Sequence, residues 1–114
     1  MTKVLLATLI GIGAVFIDAI PAHSATNGRC VQYESLLARN GLPVASFSRT
    51  MYRESRCNSR AINRHSGARG LLQIMPQHAG RWNTCAGLNL MSANGNIQCA
   101  ARLYRRAGMR PWRG

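Results

Sequence analysis

The chain has 114 residues, 46% of them apolar, and carries 15 Lys+Arg against 3 Asp+Glu, a net charge of +12. That length suits one compact domain, and the ordinary apolar content argues against disorder despite the charge. Asp18, Glu34 and Glu54 are the whole stock of acids, which excludes a carboxylate-caged calcium site and nearly every mechanism that needs clustered acids.

Lys3 precedes an apolar run from Val4 to Ile17 that contains Gly11 and Gly13. A bilayer-spanning helix needs about 20 apolar residues, so this run is short for an anchor. Pro21 and Ala22-His23-Ser24 follow, and the small residues Ala22 and Ser24 fit signal-peptidase cleavage after Ser24. The expectation is an exported chain, with a signal peptide over 1–24 and one domain over 25–114; an uncleaved anchor is the alternative. Cleavage removes Lys3 and Asp18 together, which leaves fourteen arginines against Glu34 and Glu54 and the net charge unchanged.

Cys30, Cys57, Cys85 and Cys99 all lie beyond that cleavage site. A small exported domain buries only about two-thirds of its unfolded surface, so two disulfides are the natural reading. Four cysteines allow three pairings, and the sequence does not choose among them; Cys30–Cys57 with Cys85–Cys99 is preferred. No two cysteines form the close C-x₂₋₄-C pair that structural zinc sites show.

Arg29 to Arg39 carries Val31, Leu36 and Leu37 and ends at Asn40-Gly41, a helix with a glycine stop. Pro43 then stands at a first helical position, with Val44, Phe47 and Met51 following at helical spacing. Arg56 to Gly70 reads as irregular loop, with a short hairpin around Gly67–Ile74. Pro76 opens a short helix through Trp82. Asn94-Gly95-Asn96 reads as a turn, Asn96 capping a helix from Ile97 to Ala107 that stops at Gly108. The class is predominantly α.

Glu54 breaks this pattern. It lies within roughly 50° of the centre of the Val44–Phe47–Met51 stripe, while Arg53 and Arg56 point to the opposite, solvated side. One of two carboxylates beyond residue 24 therefore stands near the core-facing edge of a helix, close to its C-terminal end. A carboxyl partly withdrawn from water can keep its proton near neutrality, as a general acid must. The alternative is a structural ion pair with one of the arginines.

Tyr52 to Asn58, with Glu54-Ser55, and Ser66 to Pro76, with Gly70-Leu71-Leu72-Gln73, resemble the soluble lytic transglycosylase family. That family is related to goose-type lysozyme and shares its lysozyme-like α-helical fold. Its Glu-Ser motif at a helix end is matched by Glu54 and Ser55, and its Gly-Leu-Met-Gln motif by Gly70 to Gln73, with Leu72 in place of Met. The ending from Asn96 to Trp112 is similar to short exported and phage-borne members. The resemblance implies cleavage of the bond between N-acetylmuramic acid and N-acetylglucosamine in peptidoglycan. Glu54 would protonate the leaving oxygen and then act as base. Ser55, Leu71 and Gln73 would lie along the sugar cleft, and Gly70 would let the backbone approach the glycan. The family's Ala-Tyr-Asn motif is absent; Tyr104 is the substitute tyrosine, or else a core aromatic beside Ile97 and Ala101.

The scarcity of acids is consistent with that chemistry. Glycosidases that rely on two carboxyls hold them about 5–5.5 Å apart when retaining and about 6.5–9.5 Å apart when inverting. Only Glu34 could be the second, and it is read as solvated on a helix face away from Leu37. The nucleophile then comes from water, as in a hydrolytic muramidase, or from the substrate's own 6-hydroxyl, which closes a 1,6-anhydro ring.

The remaining residues have plainer alternatives. Gln73 could be a solvated loop amide, and Ser55 could merely bond back to a helix carbonyl. His65 and His78 read as surface histidines without metal spacing. Trp82 reads as core, and Trp112 is open between core and sugar stacking. The arginines suit anionic cell-wall polymers; nucleic acid fits less well, because no nucleic-acid motif accompanies them. A non-catalytic cationic wall- or membrane-binding protein is the other alternative. A monomer needing neither metal nor cofactor is expected.

Overall fold

A computed structural model describes residues 26–113; the expected signal peptide lies outside the described residues. Three α-helices carry this part of the chain: α1 (Glu34–Arg39), α2 (Val44–Ser55) and α3 (Ala93–Ala107). Short 3₁₀ turns stand at Thr26–Gly28, Val31–Tyr33, Pro76–Ala79 and Arg110–Trp112. The class is predominantly α, as the sequence indicates.

The helix expected over Arg29–Arg39 is the 3₁₀ turn Val31–Tyr33 running into α1. It stops where predicted: Asn40 N–H donates to the Leu36 and Leu37 carbonyls, and Gly41 takes the left-handed conformation at φ 74°. Pro43 caps α2 from one position outside the helix, its carbonyl accepting Phe47 N–H at 3.0 Å. Phe47 and Met51 are fully buried on the face that packs toward α1 and α3. Each such side chain contributes about 1.5–3 kcal/mol through burial. Arg56 and Cys57, both at positive φ, then end α2 sharply. A disulfide joins Cys57 to Cys30 and brings the end of α2 against the segment before α1.

Between α2 and α3 the backbone is mostly turns. The expected hairpin reduces to the isolated bridges Ile62↔Arg69 and Arg69↔Ile74, because two reciprocal Arg69–Ile74 hydrogen bonds already close the turn over Gly70–Gln73. The helix expected from Pro76 to Trp82 is a single 3₁₀ turn ending at Ala79. A second disulfide, Cys85–Cys99, pins the following loop to α3.

The start of α3 corrects the sequence reading. Ser92 is the cap, its Oγ accepting Gly95 N–H at 2.9 Å, and Asn94-Gly95-Asn96 is the first turn of the helix. Asn96 is fully buried. Its Oδ1 accepts Leu72 N–H at 2.9 Å, and its Nδ2 donates to the Arg69 and Leu90 carbonyls at 2.9 and 2.8 Å. The residue expected as a local cap thus acts as a long-range clamp, because main-chain groups meeting inside the fold need partners.

The core centres on Phe47, which meets Tyr104 edge-on at 5.5 Å and Trp112 at 4.9 Å. Trp112 belongs to this core, its indole N–H donating to the Leu72 carbonyl at 2.9 Å. Trp82, expected in the core, is instead 87% exposed. It lies in a loop of consecutive turns, and its backbone at φ 71° carries the indole out to solvent.

Candidate active site

Glu54 is the penultimate residue of α2, and its side chain is 29% exposed. Its Oε2 accepts from Arg53 Nη2 at 3.2 Å, and the same Nη2 donates to the Trp112 carbonyl at 2.9 Å. Arg53 was expected to point away. Its three-methylene stem is long enough to return the guanidinium across the helix end, so Arg53 spans Glu54 and the C-terminal turn. Arg56 does stay apart, donating to the Tyr52 hydroxyl at 2.6 Å and stacking over that ring.

Glu34 is half-buried and paired, not freely solvated as expected. Arg29 Nε donates to its Oε2 at 2.8 Å. The Ser48 hydroxyl, and after it Arg29, hold this carboxyl below its ordinary value of 4.5, against the opposing effect of burial. The same Ser48 oxygen accepts Cys30 N–H, which ties the pair into the scaffold around the first disulfide.

The residues of the second motif divide between packing and surface. Gly70 is buried, and a Cβ there would collide with the Leu90 carbonyl and the Asn96 amide. Together with φ 76°, this gives the glycine a packing reason within the fold itself. Leu71, expected in the cleft, is fully buried core. Ser55 is also buried and donates to the Met51 carbonyl at 3.1 Å, closing the helix end. All three positions are packed against neighbouring segments of the fold.

Gln73 remains accessible. It sits at φ 48°, and its Nε2 donates to the carbonyls of Gly70 at 3.1 Å and Ala61 at 3.3 Å. Two acceptors on one nitrogen orient the amide. Gln73 lines a half-open pocket of about 50 Å³ with Met75, His78, Leu103, Pro111 and Trp112 among its other walls. Glu54 is not part of that lining, but Arg53 connects it to Trp112. Tyr104, which packs on Phe47, does not line the pocket either.

Sequence reasoning missed the parts played by Arg53, His78 and Asn96 and left Trp112 open between two roles. Asn96 had a readable signal, an amide one turn before Ala100 on the apolar face of a helix. The others had none, since each depends on segments distant along the chain. Among the described residues no group of three or more His, Cys, Asp or Glu side chains converges as a metal site would require.

The family model for the transglycosylase SLT domain matches residues 34–105. No curated protein and no solved structure matches the chain significantly. The matched span covers more than half of the chain and includes Glu54, the Gly70–Gln73 turn and the α3 helix through Arg105. On that match and its predominantly helical, lysozyme-like fold, the chain belongs to the transglycosylase SLT domain family.

Proposed function

We propose that the protein is a lytic transglycosylase that cuts the bond between N-acetylmuramic acid and N-acetylglucosamine in peptidoglycan with Glu54 as its single acid and base. Family membership supports action on peptidoglycan in general. The observation that carries the finer reading is the contrast between the two glutamates. Glu34 is held as a carboxylate by Ser48 and Arg29. Glu54 stands half-exposed at the end of α2, with one long contact to an exposed arginine. Such a contact is worth little and exchanges readily.

In this mechanism Glu54 gives its proton to the glycosidic oxygen as the bond to the muramic C1 breaks, and positive charge develops on that ring. The resulting carboxylate is stabilised by Arg53. It then takes the proton from the muramic 6-hydroxyl, whose oxygen bonds to C1 and closes a 1,6-anhydro ring. The acid is regenerated and no water is consumed. Gln73 contributes an oriented amide suited to sugar hydroxyls or acetamido groups.

An exported protein fits both this substrate and the two disulfides, which persist in oxidising compartments. Arg29 and Arg53 are the arginines in the ion pairs found among the described residues. Arg56 and Arg102 make other contacts within the fold, and the remaining arginines suit an anionic cell wall and faster encounter with it.

The test is mass spectrometry of soluble fragments released from purified peptidoglycan by the oxidised protein, with Glu54→Gln as control. Glu54-dependent fragments ending in 1,6-anhydromuramic acid are expected. Glu54-dependent reducing ends would replace the internal nucleophile with water. No release would overturn the catalytic reading.

A further inference from the structure

We propose that Trp82 is a stacking platform for a pyranose ring of the glycan strand, outside the candidate active site; this rests on the peptidoglycan reading above. The chain has two tryptophans, one buried in the core and one 87% exposed. The exposed one is not on a loose tail. Its loop is held by the Cys85–Cys99 disulfide, by Cys85 N–H donating to the His78 carbonyl at 2.8 Å, and by Arg102 donating to the Thr84 carbonyl at 3.1 Å. Trp82 itself adopts φ 71°, a backbone state that a bulky L residue rarely takes without compensation. A fold that anchors a loop this firmly and still holds an indole in water presents a rigid aromatic face.

Position and chemistry select the occupant. The loop follows the Pro76–Ala79 turn, whose His78 lines the pocket that Gln73 also lines. A strand leaving that pocket therefore has this loop as a neighbouring surface. The apolar C–H face of a pyranose matches one indole face. Arg81, with its guanidinium 5.2 Å from the ring centroid, supplies a cation for the carboxylates that muramic acid and its peptides carry. An anionic membrane fits less well. Interfacial binding needs a contiguous apolar face, whereas Arg81 and Asn83 flank Trp82 and both are exposed. The other large exposed apolar residues among those described are Val31 and Ile62, both outside this loop.

The experiment uses the oxidised full-length protein carrying Glu54→Gln, so that glycan is not consumed, with and without Trp82→Ala or Trp82→Tyr. Sedimentation with purified insoluble peptidoglycan measures affinity. Trp82→Ala is expected to weaken binding about tenfold, the upper range for one stacked ring. Trp82→Tyr should recover most of that loss, and the thermal midpoint of both should be unchanged because the side chain is exposed. Separately, a soluble N-acetylglucosamine hexamer should blue-shift the emission of Trp82 and shield it from acrylamide. Affinity within twofold of the parent in Trp82→Ala overturns the proposal. So does shielding by phosphatidylglycerol vesicles or single-stranded oligothymidylate without shielding by the hexamer. Cleavage by the protein with Glu54 intact is scored independently, so loss of the platform and loss of the catalytic reading are told apart.

Discussion

Replacing Asn96 with alanine strands two buried main-chain groups, the Leu72 N–H and the Leu90 carbonyl, while the Arg69 carbonyl keeps Ile74 N–H at 3.0 Å. An unsatisfied buried polar group costs about 1–3 kcal/mol. The two costs do not simply add, since water entering the vacated space can serve one of them. A loss of about 2–4 kcal/mol follows, set against the 5–15 kcal/mol or so that stabilises a typical domain. For a domain of this size each kcal/mol lowers the thermal midpoint by roughly 4–8 °C. The Asn96→Ala midpoint should therefore fall by at least about 8 °C, followed by circular dichroism on oxidised protein. Asn94→Ala is the control. It lies in the same helical turn but is exposed, and its expected change is within about 0.5 kcal/mol. Asn96→Asp keeps the acceptor for Leu72 and turns an oxygen toward the two carbonyls, so it should be no milder than alanine. A fall of less than about 4 °C for Asn96→Ala, the weight of one kcal/mol, would refute the clamp.

Three further outcomes follow from the site. Trp112→Phe keeps a ring against Phe47 but removes the donor to the Leu72 carbonyl, and urea unfolding should show a loss of about 1–3 kcal/mol. Arg53→Met removes the cation beside Glu54 and the tie to the Trp112 carbonyl. The pair is exposed and worth about 0–1 kcal/mol, so kcat should fall by about fivefold at most with KM nearly unchanged, and Arg53→Lys should recover part of it. The third concerns acid stability. Because the folded-state Glu34 carboxyl titrates below its ordinary value of 4.5, its contribution is present above that pH and is lost as pH falls through the folded value. Thermal midpoints should hold steady down to about pH 5 and then drop, less steeply in Glu34→Gln.

Much of the helical frame was legible because its signals are local. Gly41 stops α1, Pro43 opens α2, and the Phe47–Met51 spacing defines its buried face. Those features depend on residues within a turn or two of one another, and the chain carries them wherever it goes. Glu54 also stood out locally, as a scarce acid near an apolar stripe. Asn94-Gly95-Asn96 misled for the same reason. Its local chemistry favours a turn, but a Cβ on Gly95 would collide with the Asn89 carbonyl, and Asn96 serves three distant groups.

The Gly70–Gln73 motif was equally visible, yet its residues have different fates. Gly70 and Leu71 are consumed by packing against α3 and the core, and Gln73 alone keeps an open side. Class, the start of α2, the candidate acid and the motif were all readable along the chain. Tertiary structure decided that Trp112 is core and Trp82 surface, that Arg53 turns back to Glu54, and that Asn96 is a clamp. Periodicity and capping are read from neighbours along the chain; burial and partnership depend on which distant segments arrive, and no local pattern encodes that arrival.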